Sequence, residues 1–286
     1  LQNQDLEKEL PWSVQSHHSY DSPHAKAFLL LQAHLIRNKL AIADYVTDTL
    51  SVLDQAIRIL HLIIDITVVN NMLKTCLHTM SLLQCIKQAC WPENSSLLNL
   101  PGIEDHMINS VLHEGHVVTC LGELLNLSEE DLSNIFKNVS GLSEPDVQKI
   151  CKVVKNIPLM DVGYHINNAS DSMAPKEELT LLVSLKRVKN ISGYDGKVYA
   201  PRFPKPQYES WWLVFGDKST DSIIEMKKIN MSNGLFGEFS NEQTFKLKLT
   251  APEWGGNYQY TIFLINDGYL GLDQQFDVEF HVKDAR

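Results

Sequence analysis

Leu179-Thr-Leu-Leu-Val-Ser-Leu185 sets Leu179, Leu181, Val183 and Leu185 at every second position, the period of a half-buried β-strand. The same alternation recurs at Phe245, Leu247 and Leu249, at Tyr258, Tyr260, Ile262 and Leu264, and at Phe276, Val278, Phe280 and Val282. Adding Trp211–Phe215 and Ile223–Ile229, six or seven strands fall within about 110 residues, which predicts a β-sandwich over 176–286.

Outward from that run toward the N-terminus the period changes. Pro158 and the polar stretch Asn167-Asn-Ala-Ser-Asp-Ser-Met-Ala-Pro175 mark a boundary, and before it apolar residues recur at helical spacing. Ser22-Pro23 opens a first helix carrying Phe28, Leu31 and Leu35, because Ser can accept a bond from an orphan amide and Pro fits the first helical position. A second helix starts near Thr47-Asp48 and sets Leu50, Leu53, Ile57, Leu60 and Ile64 on one face; a third runs from about Asn70 to Trp91 and stops at Pro92. The three predict an antiparallel bundle over 1–94.

Between bundle and sandwich, 95–158 reads as a helix-hairpin-helix unit. Leu97-Leu-Asn-Leu-Pro101-Gly102-Ile103 predicts a short helix, a tight turn and a helix to about Leu112. Ser128-Glu-Glu-Asp131 and Ser143-Glu-Pro-Asp146 have the spacing of capping boxes, with Val139-Ser-Gly-Leu142 as the turn between the helices they open. The expected fold class is α then β: helical bundle, helix-hairpin-helix unit, then a sandwich of the immunoglobulin-like or C2-like kind.

Composition narrows the function. Of the 286 residues 44% are hydrophobic and 21% charged, a folding composition. The net charge of -10 argues against a free-standing nucleic-acid binder, since affinity for phosphates rests on concentrated Lys and Arg. The longest apolar runs are too short to cross a bilayer, so no membrane partner is expected. A start at Leu1, without Met or a signal sequence, reads as a piece of a longer protein. Five cysteines, an odd number set among apolar residues, suggest reduced thiols and a nuclear or cytoplasmic home; the sequons at Asn94 and Asn190 are then chance matches.

No phosphate-binding glycine loop, nucleophile elbow, H-E-x-x-H or C-x-x-C occurs, so catalytic residues, a metal and a cofactor of its own are not expected. His17, His18, Asp21 and His24 are the densest set of metal-type ligands, more simply read as an exposed turn. Asp217, Asp221, Asp267 and Asp273 resemble calcium loops only loosely, and turn or cap roles fit them better. His34 reads as a satisfied core or interface residue. In the hairpin unit, Lys137, Lys149, Lys152 and Lys155 are candidate contacts for single-stranded RNA or DNA, against acids at the helix starts. Trp211 and Trp212 point to opposite faces of one strand, one ring to the core and the other toward the surface; with Arg202 and Phe203 they form a candidate protein interface.

Specific runs carry a resemblance. Asp21-Ser-Pro-His-Ala-Lys-Ala-Phe-Leu-Leu-Leu-Gln-Ala-His-Leu35, Pro201-Arg-Phe-Pro204, Trp211-Trp-Leu-Val-Phe-Gly-Asp217 and Asp267-Gly-Tyr-Leu-Gly-Leu-Asp-Gln-Gln275 resemble the Sec-sixty-three homology unit that follows the motor in large Ski-two-like helicases. Asp44-Tyr-Val-Thr-Asp-Thr49 and Ser96-Leu-Leu-Asn-Leu-Pro-Gly-Ile-Glu-Asp-His106 are similar to the branch in the activating signal cointegrator complex more than to the spliceosomal U5 branch. The resemblance implies a parent that unwinds RNA or DNA with 3′-to-5′ polarity, ATP and Mg bound by its motor. This chain would be a non-catalytic accessory whose partners are the motor domains and other subunits of the complex. The alternative it leaves open is an adaptor in protein translocation at the endoplasmic reticulum.

Overall fold

The computed structural model describes residues 2–15, 18–40, 42–167, 172–189, 195–230, 232–233, 238–239 and 242–284. His17, the Asn190 sequon and 168–171 of the boundary stretch lie outside them.

Four helices come first: α1 (Gln2–Glu7), α2 (Pro23–Leu35), α3 (Ala43–Val69) and α4 (Leu73–Gln88). α2 begins as its sequence dictates, with the Ala25 N–H donating to Ser22 Oγ at 3.1 Å. α2, α3 and α4 end alike. Arg37, Asn71 and Ala89 take positive φ of 61°, 55° and 51°, and the amides of Asn38, Met72 and Cys90 reach back to the carbonyls of Ala33, Thr67 and Cys85. Glycine is the usual residue at such an end. Arg37 takes its place and uses its guanidinium instead, donating to the carbonyls of Gln88, Ala89 and Leu98 and so tying α2 to the end of α4.

The middle of the chain is less helical than its sequence suggests. Two 3₁₀ turns, Ser96–Asn99 and Asp105–Ser110, flank Pro101-Gly102, where the sequence reading expected a helix to about Leu112. His106, Ile108, Asn109, Ser110 and Val111 are all poor helix formers, and a turn of Glu114 and Gly115, both at positive φ, folds β1 (Leu112–His113) back on β2 (His116–Val117). Beyond α5 (Leu121–Leu124), α6 (Glu129–Lys137) and α7 (Glu144–Asn156) form a helical hairpin. Ser128 caps α6, Ser143 and Asp146 close the box on α7, and Gly141 turns the chain between them at φ 95°.

Two antiparallel sheets follow. One has the order β11 (Glu242–Thr250), β4 (Glu178–Arg187), β3 (Met160–Asn167); the other runs β13 (Gln274–Val282), β12 (Gly256–Asn266), β7 (Trp211–Asp217), β8 (Ser222–Ile229). Two short pairs, β5 (Lys197–Val198) with β6 (Gln207–Tyr208) and β9 (Ser232–Asn233) with β10 (Glu238–Phe239), complete the strands. Strand β3 sits where the sequence reading placed a boundary, although Met160, Val162, Tyr164 and Ile166 do alternate.

Leu181, Val183 and Leu185 of β4 meet Trp211, Leu213, Phe215, Ile262 and Leu264 of the larger sheet, in a core that continues into α6 and α7 through Phe136 and Ile150. The other face of β7 and β12 is covered too. Trp212, Val214, Phe263 and Ile265 pack against Leu53, Leu60, Ile64, Leu73, Met80 and Leu83 of α3 and α4. This is why alternation fails there: Trp211 to Gly216 and Thr261 to Asn266 are buried at every position.

Candidate interaction surfaces

The sheet reaches the helices mainly through α4, which lacks a side-chain cap of its own. Asp221, in the β7–β8 turn, supplies it: its backbone carbonyl accepts from the Leu73 N–H at 3.1 Å and its Oδ1 from the Lys74 N–H at 2.7 Å. Gly216 has no room for a side chain here, since a Cβ would lie 2.8 Å from the Ser222 carbonyl oxygen and 2.9 Å from the Leu73 side chain at the helix start.

Further along, α4 turns a row of polar side chains into the sheet. Gln84 donates to the Asn266 carbonyl at 2.5 Å and to Asp273 Oδ1 at 2.9 Å, Gln88 donates to the Gly268 carbonyl, and Lys87 is paired with Asp267, which also accepts from Ser210 at 2.6 Å. Burial alone would raise the Asp267 carboxyl; the Lys87 and Lys228 ammoniums outweigh it and hold the group below its usual value. Asp273 has no ammonium among the groups that shift it. Burial pushes it up to about 6 despite bonds from the Asn266 N–H and Gln84. Of the four aspartates weighed as calcium ligands, three therefore fasten α4, and Asp217 holds its own turn through Ser219 and Thr220. Among the described residues no group of three or more metal-type ligands converges.

The expected tryptophan arrangement needs correction. Both rings are buried, Trp211 at 0% exposure with its Nε1 donating to Glu209, and Trp212 at 2% beneath the helices, edge-on to His61. Phe203 is buried beside Trp212. The second face is an interface within the chain, covered because the helical half folds back onto it. Of that set only Arg202 is exposed. His34 is satisfied, its Nε2–H donating to the Ile86 carbonyl at 2.7 Å, and burial followed by the nearby Arg202 and Arg37 charges holds its pKa down.

The four hairpin lysines divide. Lys137 pairs with Glu144 at 3.6 Å and Lys155 with Glu129, both across the α6–α7 hairpin. Lys149 and Lys152 face a crevice instead, at the meeting of bundle, hairpin and sheets. Two adjoining cavities of about 300 and 450 Å³ form it, sharing Pro101 and Tyr199.

A different surface lies on α3. Ile59, Leu62, Ile66 and Val69, at steps of three and four, form a stripe on the side away from Leu53, Leu60 and Ile64, and each is 49% to 82% exposed. No helix among the described residues is long and apolar enough to cross a membrane. Of the face expected on α3, Leu53, Leu60 and Ile64 are buried while Leu50 is 47% exposed, and the outer stripe was not expected, although the run Ile57 to Val69 is too apolar for a helix with a single covered face.

Comparison with known proteins fits this architecture. The chain is 32% identical to activating signal cointegrator 1 complex subunit 3 of Bos taurus, over 99% of its own length and 14% of that protein's. It is 34% identical to the DExH-box ATP-dependent RNA helicase DExH14 of Arabidopsis thaliana, over 97% of its length and 12% of the relative's, and 29% identical to the U5 small nuclear ribonucleoprotein 200 kDa helicase of Mus musculus, over 93% and 12%. It thus spans about a seventh of these curated relatives. The model of one family matches residues 1–279, bundle, hairpin and both sheets together, and the chain belongs to that family, the Sec63 Brl domain.

Proposed function

We propose that this chain is a non-catalytic accessory of an ATP-dependent helicase, and that the outer face of α3 docks it onto the motor domains of the same protein. The exposed stripe of Ile59, Leu62, Ile66 and Val69 carries the reading. Four large apolar side chains aligned on one helix face are costly to leave in water; burying each fully is worth about 1.5–3 kcal/mol, enough for a stable contact inside one polypeptide. The relatives with helicase names support the choice of partner, since each is about eight times as long as the aligned segment and has room for motor domains. In this reading ATP and Mg belong to the motor, and the module acts by holding the motor's geometry.

The test uses the full-length protein with Leu62→Glu and Ile66→Glu. Both positions are exposed, so the module keeps its fold, while a buried carboxylate at the docking face weakens the contact by about tenfold or more. Strand unwinding should fall with it, and limited proteolysis should cut more readily on either side of the module. Unwinding at the unmodified rate would sink the proposal.

A further inference from the structure

The docking reading leaves unused the crevice between bundle, hairpin and sheets. One end is floored by apolar groups, Pro101, Val153, Val198 and the side of Tyr199, and rimmed by Lys149, Lys152 and Lys197. The other end passes between Gly102 and Pro201 to Arg37 and Arg202. Its lining carries five cations against two carboxylates, Glu104 and Asp195, within a chain of net charge -10.

The cations are of two kinds. Arg37 commits three of its five N–H donors to carbonyls and lends the crevice mainly its charge. Among the described residues Arg202 and Lys152 have no carboxylate within 4 Å, while Lys149 and Lys197 hold only exposed near-neighbour pairs with Asp146 and Asp195, which a ligand carboxylate displaces at little cost. The floor is fixed in advance. The Tyr199 N–H donates to Tyr269 Oη at 2.7 Å, and Gln88 of α4 donates to the Tyr199 and Gly268 carbonyls.

We infer that this crevice seats a linear peptide segment of a partner protein, with an apolar side chain on the Val153–Val198 floor and flanking carboxylates on the lysine rim and Arg202. Charge complementarity and the apolar floor select this occupant. A nucleic-acid strand would need open aromatic faces for its bases, and of the two tyrosines in the lining Tyr269 is buried with its hydroxyl engaged and Tyr199 is half-buried. The site lies apart from the α3 stripe and does not rest on the docking reading.

The experiment measures fluorescence anisotropy on the full-length protein with three labelled probes: a decapeptide with a central Leu-Phe flanked by Asp and Glu, the same peptide with Lys in place of its acids, and a ten-nucleotide poly-dT. The acidic peptide should bind at least about tenfold tighter than the basic one, and Lys152→Glu should weaken it by about tenfold through a rim attraction turned to repulsion. Val153→Asp should do the same through the floor, and Leu62→Glu on α3 should leave binding unchanged. Both crevice variants are checked by thermal melting, and Arg202→Glu replaces either one if it unfolds. Equal affinity for the two peptides, tighter binding of poly-dT, or indifference to Lys152→Glu with the fold intact would each overturn the assignment.

Discussion

Strands β7 and β12 have two faces, and the two are buried by different chemistry. On the Trp211 face Leu213, Phe215, Ile262 and Leu264 meet another sheet. On the Trp212 face Val214, Phe263 and Ile265 meet helices, and the edge of that contact is laced by Lys87, Gln84 and Gln88 bonded to the β12–β13 loop. The first is a core in the ordinary sense. The second is a seam, where buried polar pairs take part of the place of apolar contact and stabilise less than it would.

The contrast breaks most sharply at the paired tryptophans. Trp211→Ala should cost about 4–5 kcal/mol, since it opens a large cavity and strips a donor from buried Glu209, and denaturant unfolding should stay a single transition. Trp212→Ala should cost about 3 kcal/mol and split the transition, the helical signal in circular dichroism melting before the tryptophan fluorescence of the sheets. Equal losses with one shared transition would mean the seam is as much core as the other face.

Lys87→Met tests the polar lacing. It leaves Asp267 buried with Ser210 and a more distant Lys228 at 3.5 Å, and should cost about 3 kcal/mol. Adding Asp267→Leu should return most of that loss, because an apolar pair replaces an ionic one at little cost; a double variant no better than Lys87→Met would show that Asp267 holds the loop through other bonds.

The smallest effect is at Asp273. Its native carboxyl takes up a proton near pH 6, whereas the unfolded chain does so near the ordinary 3.8. The native state therefore binds the proton first, and this group's contribution to stability rises as pH falls from about 7 toward 4 and is lost again as pH climbs through 6. His34 and His61, held down mainly by burial, act in the opposite sense, so the readout is the difference between wild type and Asp273→Asn. The variant should be more stable by about 1–2 kcal/mol at pH 7.5, with the gap roughly halved at pH 5 and closed only near pH 4. Parallel pH curves would mean that the Gln84 and Asn266 contacts fully compensate burial.

The sequence made the elements legible and left their assembly obscure. Alternation in Leu179–Leu185 and the boxes at Ser128 and Ser143 are local signals, and the strands and helix starts appear where those signals fall. The hairpin after Leu112 was hidden because Glu114 is an uncommon residue at positive φ, and only Gly115 marks the turn. The seam has no local signature at all. Asp221 capping a helix through the amide of Lys74, 147 positions earlier, or Asp267 meeting Lys87, is indistinguishable in sequence from any aspartate in a loop. The visible clue was compositional: six consecutive buried positions in a strand require cover on both faces, and Trp211-Trp-Leu-Val-Phe-Gly216 is too apolar for one. Of the candidate contacts, Lys149, Lys152 and Arg202 share one crevice, which spacing along α7 could suggest for the lysines but not for Arg202.

Lys87 and Asp267 stand 180 residues apart. On a ribosome adding about 5–20 residues per second, α4 therefore emerges some 10–40 s before the loop that receives it. Through that interval the helix must persist with its sheet-facing side bare, beside an α3 already studded with apolar residues. The polar row of Gln84, Lys87 and Gln88, which makes the finished seam weaker than a dry one, is what makes the waiting helix less adhesive: the nascent bundle carries its own protection against premature association until the sheet is synthesised.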